Sequence, residues 1–560
     1  MVIRFVELPP VGPRLPATAD SGTLRTLSLD RKAARPAELK PPAWRRGAPL
    51  LLALMAGVLS ACGGGGGAGG DGGVATLPAS SNFAGKCAPE NTLARDGTGS
   101  LLARYTSGSL QDEKSWVRSY MDEAYLWYAE VAAPDSALPA YNTSPAQVAL
   151  TNWFQALKTP ALTTSGAKKD RFSFTLPTAE WNALIQTGVT GGYGIEWALA
   201  SPTVPRSLRV AYTNAGTPAE AAGVVRGDSL VSLVVDGASI DFVNTTDAAE
   251  VARLNEVLFS PPQGRQATFR LRGNGGTERD VMLTAGPVTT TPVKLAKVLD
   301  VGGSKVGYLL FNDFILPAEG QLGKAMEDFR AAAVSDLILD LRYNGGGYLY
   351  IASQLAYMIA PPARTAAKTF ERSVFSDKRA AATNSASSNL SFMSVSTGVP
   401  GSGTGANSPL PNLGLNRVYV LTTAGTCSAS ESIVNGLRGV DVEVIVLGAS
   451  TCGKPYGFTA RDNCGLSYFP VEFQGVNQKG FGDFAEGFPP FCAVADDLSQ
   501  PLGSESEGLL AAALGVRAGA SCAAVAAGGA ALKDATGSHG PDVPGTIVRP
   551  ASRSNKFLAP

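Results

Sequence analysis

The sequence after residue 302 alternates short apolar runs with amphipathic stretches, and this alternation limits the possible folds more than any other feature. The runs have the length of buried strands, and the stretches repeat apolar residues at helical spacing. The predicted strands are residues 305–311, 337–341, 417–422 and 442–447, and the predicted helices are 319–333, 350–359 and 430–437. Strands that alternate with helices require a largely parallel, layered sheet. The sequence therefore predicts an α/β core.

Composition excludes several classes of function. The chain has 560 residues, of which 44% are hydrophobic, so it can bury more than one core. Its 47 basic and 47 acidic residues give no broad positive field, which argues against nucleic-acid binding. The single histidine, His539, lies in a Ser/Gly/Pro-rich stretch. A Ser-His-Asp triad and a multi-histidine metal site are therefore not expected.

The N-terminal region has the features of a secretory signal. Arg45 and Arg46 precede an apolar run at 48–59 that leads to Leu-Ser-Ala-Cys, ending at Cys62. At about twelve residues the run is too short to span a bilayer, which takes about twenty. The motif resembles a bacterial lipobox, which implies cleavage before Cys62, lipid attachment to its thiol and, with Gly63 next, an outer-membrane lipoprotein. The alternative is an ordinary signal peptide whose cleavage region contains a cysteine.

Changes in composition and in the spacing of apolar residues divide the chain into segments. Residues 1–40 fit no signal, so we expect translation to start further downstream. The predicted organisation is a signal with lipobox at 1–62, a Gly-rich tether at 63–99, a small helical domain at 100–188 with helices at 110–130 and 146–157, a domain of short strands at 189–286, the α/β core at 287–520 with a surface insertion at about 366–412, and a disordered tail at 521–560.

Six cysteines remain after Cys62 is assigned to the lipid. They are Cys87, Cys427, Cys452, Cys464, Cys492 and Cys522. In an oxidising compartment six cysteines can form three disulfides, with fifteen connectivities. None has a CxxC or other paired metal-ligand spacing, so no zinc site is predicted.

Three motifs in the α/β part contain the candidate catalytic residues. They are LILDLRYNGGG at 337–347, TCSASE at 426–431 and TCGK at 451–454. In this order they resemble the C-terminal-processing, or tail-specific, serine proteases, over roughly residues 112–491. The resemblance implies a ClpP/crotonase-like protease core with an inserted PDZ domain. It also implies Ser428 as nucleophile and Lys454 as general base.

Elementary chemistry agrees with these roles. A serine hydroxyl needs a base, and a lysine can serve where apolar burial disfavours its charged form. Ser428 is expected at a strand-to-helix turn, where the helix N-terminus favours developing negative charge. The oxyanion donors would be the amide of Ala429 and that of Gly345 or Gly346. Taken singly, Ser428 could be a helix N-cap and Lys454 a surface cation.

Four residues of these motifs are interpreted as structural. Asp340 and Arg342 are expected to hold the glycine turn by hydrogen bonds rather than to touch substrate. Ser430 and Glu431 are expected to lie at the start of the following helix.

The domain of short strands resembles the circularly arranged PDZ domains of bacterial periplasmic proteases. Its TPAEAAG segment at 217–223 and RGD turn at 226–228 carry the resemblance. Such domains pair an extended peptide with an exposed strand and bind its carboxylate in a glycine-rich loop. That loop would consist of Gly192, Tyr193, Gly194 and Ile195. The alternative is a domain that packs inward and binds nothing.

Departures from the family pattern leave a second function open. Classical members commonly have Gln four residues after the lysine, where this chain has Phe458, and Pro455 follows the lysine directly. Cys427 directly precedes Ser428 and Cys452 lies two residues before Lys454, and we expect at least one of these cysteines to be oxidised. The predicted function is a serine endopeptidase, without metal or organic cofactor, for polypeptides with accessible C-terminal segments at the cell envelope, anchored to the membrane by lipid. The alternative is a catalytically silent or gated peptide-binding envelope lipoprotein.

Overall fold

The structure, a computed structural model, describes residues 77–522 and the backbone of Asn555–Phe557. The predicted signal, the tether up to residue 76 and the lipidation site Cys62 lie outside the described residues. No helix in the described part combines the length and the apolar character needed to cross a bilayer.

The N-terminal part of the described chain holds three helices. Its elements are β1 (Lys86–Cys87), β2 (Thr106–Ser107), α1 (Leu110–Ala124), α2 (Ala146–Ala156), β3 (Phe174–Pro177) and α3 (Thr178–Thr187). Helix α1 begins at a capping box formed by Ser109 and Asp112. The sequence predicts this helix up to residue 130, whereas it stops at Ala124. Tyr125 is extended and fully buried, and its hydroxyl donates to Asp170 over 2.7 Å, which turns the chain away from the helix axis.

The middle part is almost entirely strands. Its elements are β4 (Val189–Gly192), β5 (Ile195–Ser201), β6 (Ser207–Thr213), α4 (Pro218–Ala221), β7 (Ser229–Val235), β8 (Ala238–Asp241), α5 (Ala248–Phe259), β9 (Gln266–Arg272), β10 (Glu278–Thr284) and β11 (Gly286–Thr289). An antiparallel sheet runs in the order β10-β9-β7-β6-β5, with β8 beside β7, so that β5 lies at its edge. Its apolar side chains form a core of their own with α5.

The last part alternates strands and helices. Its elements are β12 (Val293–Val301), β13 (Ser304–Phe311), α6 (Ala318–Ala331), β14 (Asp336–Asp340), β15 (Gly346–Tyr348), α7 (Leu349–Ile359), α8 (Pro362–Thr365), β16 (Thr369–Phe375), α9 (Ala380–Thr383), β17 (Asn389–Ser391), β18 (Arg417–Thr422), α10 (Ala429–Gly439), β19 (Glu443–Gly448), β20 (Tyr456–Gly457), β21 (Arg461–Asn463), β22 (Leu466–Phe469), β23 (Phe473–Val476), β24 (Cys492–Ala493), α11 (Gly508–Arg517) and β25 (Asn555–Phe557).

The central sheet has the order β12-β13-β14-β18-β19-β24. Strands β12 and β13 are antiparallel, and every pair from β13 to β24 is parallel, as the sequence predicts. Successive residues of a strand face opposite sides. Leu337 and Leu339 pack into the core with α6, α7 and α10, while Ile338 packs into the core with α11. The protein is therefore mixed α/β, with helices on both faces of the sheet.

The N-terminal helices share their core with a distant part of the chain. Strand β3 pairs with β22, and a disulfide joins Cys87 to Cys464. The ring of Trp116 in α1 lies 5.1 Å from that of Tyr468. This segment therefore depends on the later α/β part for its packing.

Two segments differ from the sequence-based expectation. In the predicted surface insertion, β16 pairs with β23 and buries Phe370 fully in the main core. In the predicted disordered tail, Asn555–Phe557 forms a strand parallel to β15, so the prediction is wrong for these three residues. The partner edge supplies the hydrogen bonds of that strand, which local composition does not reveal.

Candidate active site

Ser428 lies at the turn between β18 and α10, as the N-cap residue of the helix. Its φ of 64° is in the left-handed region, a strained conformation for a residue with a Cβ that occurs at functional sites. The residue is fully buried, and its Oγ has no hydrogen-bond partner within the described residues. The hydroxyl therefore does not cap the helix, although serine commonly does so at this position.

Lys454 is also fully buried, so it is not a surface cation. Its Nζ lies 4.3 Å from the ring centroid of Phe458 and 5.3 Å from that of Phe172. The quadrupole of an aromatic ring attracts a lysine in its ammonium form, whereas burial among such apolar groups favours the neutral amine. Phe458, which stands where the family commonly has Gln, thus packs directly against the amine. Phe458 and Phe469 are themselves buried in the core.

Glu431 connects the serine turn to the lysine loop. One of its carboxylate oxygens, Oε2, accepts the main-chain N–H of Ser428 over 2.8 Å and that of Lys454 over 2.9 Å. The other, Oε1, accepts the N–H of Gly453 over 2.8 Å and the hydroxyl of Thr451 over 2.6 Å. Burial raises the pKa of Glu431, and these hydrogen bonds oppose the rise. A single buried carboxylate therefore fixes the backbones of both predicted catalytic residues.

A disulfide between Cys427 and Cys452 reinforces this connection. The structure thus bears out the hypothesis that at least one of these cysteines is oxidised. Both sulfurs lie close to the Glu431 carboxylate, in a buried group of potential metal ligands. Because the sulfurs are bonded to each other, only the carboxylate is left, and its oxygens already accept four hydrogen bonds. In the oxidised form this group does not suit a metal ion.

The glycine turn docks onto the serine turn through Asn344. The carbonyl of Asn344 accepts the Cys427 N–H and the Ser430 hydroxyl, both over 3.1 Å. Its side-chain Oδ1 accepts the N–H of Gly346 over 2.9 Å. The prediction that Gly346 could donate to an oxyanion is therefore wrong, because this amide is bound to Asn344. Gly345 and Ala429 stay predicted donors, and Ala429 begins α10, where the first amides have no intrahelical partner.

Arg342 holds the strand that leads into the glycine turn. Fully buried, it pairs with Asp340 over 2.8 Å, Glu507 over 2.6 Å and Asp496 over 2.8 Å. Burial alone would raise the pKa of Asp496, but the charges of Arg342 and Arg226 hold it below its usual value. The hydrogen bonds of Arg342 thus run to Asp340, Asp496 and Glu507 and fix the end of β14 before the glycine turn, and support of the turn itself stays a prediction.

The predicted peptide-carboxylate loop lies apart from these residues in the strand-rich part. Gly192, Tyr193, Gly194 and Ile195 join β4 to β5 and line a cleft with the end of α5, including Leu258 and Phe259. Gly194 has a φ of 88°, and a Cβ there would lie 2.1 Å from the Thr217 hydroxyl oxygen, so only glycine fits.

Arg226 links this part of the chain to the α/β part. Its guanidinium donates to the Tyr343 hydroxyl over 2.5 Å and to Asp496 over 2.7 Å.

Sequence reasoning does not predict the contacts of three contributors to the site. Asn344 belongs to a quoted motif, but its side-chain contact depends on the fold of the turn. Arg171 donates to the Cys452 carbonyl over 2.8 Å, next to the lysine loop. Asp170 accepts the N–H of Phe172 over 3.0 Å and so holds the ring under Lys454. Both belong to the DRFSF segment at 170–174, which resembles a short Asp-led segment of the family, but no spacing connects it with a loop near 452.

Comparisons with known proteins define the class. The model of Peptidase family S41 matches residues 305–462. Carboxyl-terminal-processing peptidase 2, chloroplastic, of Arabidopsis thaliana is 30% identical over 168 residues, which are 29% of this chain and 30% of that protein. The carboxyl-terminal-processing protease of Picosynechococcus sp. is 29% identical over 142 residues, which are 25% of this chain and 32% of that protein. The chain thus spans about a third of the length of the curated relatives it matches.

A solved structure extends the similarity to most of the fold. A putative S41 protease from Bacteroides fragilis is 26% identical, with a TM-score of 0.51 over 72% of this chain and 97% of that one. Residues 305–462 thus match peptidase family S41, and part of the chain is similar to carboxyl-terminal-processing proteases.

Proposed function

We propose that this protein is a serine endopeptidase that uses Ser428 and Lys454 and acts on polypeptides with accessible C-terminal segments. The observation that carries the proposal is the buried Ser428 Oγ at the start of α10, which has no hydrogen-bond partner in the part of the chain that the structure describes. The contact of Ser428 and Lys454 with one oxygen of Glu431 supports it, because it fixes the two backbones relative to each other. The relatives named above support the same reaction class.

The proposed reaction proceeds through an acyl-enzyme. The Ser428 Oγ attacks the scissile carbonyl carbon and transfers its proton to the neutral amine of Lys454. The resulting oxyanion accepts hydrogen bonds from the amides of Ala429 and Gly345. The tetrahedral intermediate then expels the amine of the leaving peptide, which takes the proton from Lys454. Water, deprotonated by Lys454, hydrolyses the ester and restores the Ser428 hydroxyl.

The test compares the chain lacking residues 1–62 with its Ser428→Ala and Lys454→Met variants, on an unfolded reporter protein. Loss of a nucleophile or its base typically lowers kcat by more than about 10³-fold. Methionine keeps the length of the lysine side chain without its amine. Ser432→Ala, in the same helix turn, is the matched control and is expected to keep activity. Activity retained in Ser428→Ala, with the fold intact by circular dichroism, would refute the assignment.

We further propose that residues 189–286 form a PDZ domain that binds C-terminal peptide segments at the 192–195 loop. The edge position of β5 beside the cleft with α5 supports this, since an extended peptide can add to such an edge. Calorimetric titration with one peptide in free-acid and amidated forms tests it. The free acid should bind more tightly, and equal affinity of the two forms would contradict a carboxylate-binding loop.

We also propose that the protein is attached to the cell envelope by lipid on Cys62. The three disulfides of the described residues support an oxidising compartment. Labelled palmitate should enter the protein expressed in a bacterial host, and Cys62→Ser should abolish the incorporation. Undiminished labelling of Cys62→Ser would contradict the anchor site.

A further inference from the structure

Strand β15 follows the glycine turn and uses one of its edges to bind Phe314. The N–H of Phe314 donates to the Gly346 carbonyl over 3.1 Å, and the Tyr348 N–H donates to the Phe314 carbonyl over 2.8 Å. Main-chain groups of successive residues in a strand point alternately to its two edges. The N–H and the carbonyl of Gly347 therefore point to the opposite edge.

That opposite edge is occupied by Asn555–Phe557, which we call the tail strand. It runs parallel to β15, with Gly346 opposite Asn555, Gly347 opposite Lys556 and Tyr348 opposite Phe557. In a parallel ladder of this register, Gly347 bonds to the residues before and after its partner. The carbonyl of Asn555 and the N–H of Phe557 thus face Gly347, and the main-chain groups of Lys556 face away.

The position of the tail strand relates it to the candidate active site. Besides β15, it lies next to α10, which begins directly after Ser428, and next to β20, which begins two residues after Lys454. The tail strand therefore lies in the space among the elements that adjoin the glycine turn, the serine turn and the lysine loop. A polypeptide substrate must place its main chain in the same space to reach Ser428.

The backbone of β15 is shaped for close approach. Gly347 has a φ of 139°, and a Cβ at this position would lie 2.3 Å from the Phe314 carbonyl oxygen. Only glycine lets β15 pack against Phe314 on one side while its other edge stays open to a strand.

We propose that the open edge of β15 at Gly347 binds extended polypeptide by strand addition, and that the chain's own tail strand occupies this edge and competes with substrate. The expected effect on activity rests on the proposed function. The pairing of the tail strand with β15 does not depend on catalysis. A tethered occupant acts at millimolar effective concentration. The protein thus limits its own activity until the tail strand is displaced or removed.

Hydrogen exchange in the full-length Ser428→Ala chain tests the occupancy without catalysis. The amide to follow is that of Gly347, because the amides of Gly346 and Tyr348 have partners inside the core. Phe557→Pro removes the N–H that faces Gly347, whereas Lys556→Pro removes one that faces away, a position that tolerates proline on an edge strand. The Gly347 amide should exchange faster with Phe557→Pro and stay protected with Lys556→Pro. Equal exchange in all three chains, or equal acceleration by both substitutions, would overturn the assignment.

Activity with Ser428 intact tests the competition. Phe557→Pro should raise kcat/KM on an unfolded reporter protein about tenfold, because an occupant at about 1 mM effective concentration with a dissociation constant on the order of 0.1 mM, in the range of a typical KM, lowers kcat/KM by that factor. An active parent that Phe557→Pro does not accelerate would overturn self-competition. If no chain cleaves the reporter while Phe557→Pro still releases the Gly347 amide, the proposed peptidase function fails and the strand assignment stands.

Discussion

The buried carboxyl group of Glu113 makes the free energy of unfolding depend on pH. It lies in α1, fully buried, and accepts the Ala88 N–H over 2.8 Å and the Asn91 side-chain amide over 2.9 Å. Burial raises its pKa from 4.5 to about 7, because desolvation of the carboxylate outweighs these two hydrogen bonds.

The direction of the effect follows from proton linkage. Between about pH 4.5 and 7 the folded chain keeps a proton on Glu113 that the unfolded chain has lost. The stabilisation is therefore complete below about pH 4.5, is lost as the pH rises to about 7, and does not change further above it. A pKa difference of about 2.5 corresponds to about 3 kcal/mol in the free energy of unfolding.

Urea denaturation of the parent and of Glu113→Gln, at intervals from pH 4.5 to 8, measures this contribution. Tryptophan fluorescence is a suitable probe, since Trp116 lies in α1 and packs in one core cluster with Trp153. All other carboxyl groups are common to both proteins and cancel in the difference. Relative to the parent, Glu113→Gln should gain about 3 kcal/mol as the pH rises through the window. A difference that stays constant across the whole range would refute the reasoning.

Three further experiments test other parts of the structure. Arg342→Met leaves buried carboxylates without their cation and should cost about 3–5 kcal/mol of unfolding free energy in urea; an unchanged midpoint would contradict the ion cluster. Gly347→Ala forces a Cβ against a main-chain oxygen and should lower stability, whereas Gly323→Ala, with open space around it in α6, should add about 0.5–1 kcal/mol; equal effects would contradict the close approach. Replacing Cys427 and Cys452 by Ser should cost about 2–4 kcal/mol by thermal or urea unfolding, and no loss would mean that the bond is absent.

The central sheet could be predicted because its information is local. Parallel strands buried on both faces are continuous apolar runs, and the run at 417–422 coincides with β18. Helices α2 and α10 likewise lie within about two residues of their predicted bounds, because the spacing of their apolar residues defines them. Elements that a short window of sequence encodes could therefore be predicted without knowledge of the fold.

Pairings between distant segments could not be predicted. The contacts of β3 with β22 and of the tail strand with β15 depend on a partner edge that no local pattern describes. In the site, Ser428 and Lys454 follow from the motif order, but the carboxylate that binds both backbones does not. The choice between the two glycine amides also depends on where one side chain, that of Asn344, points.

The bond between Cys87 and Cys464 has a consequence for biosynthesis. The two cysteines are 377 residues apart. At about 5–20 residues per second, a ribosome needs roughly 20–75 s to make the second cysteine after the first. During that interval the nascent α1 lacks Tyr468 and Val471, with which Trp116 and Tyr120 form their core. The aromatic face of α1 therefore lacks these two partners until residues 468–471 have been made, more than three hundred residues after the helix itself.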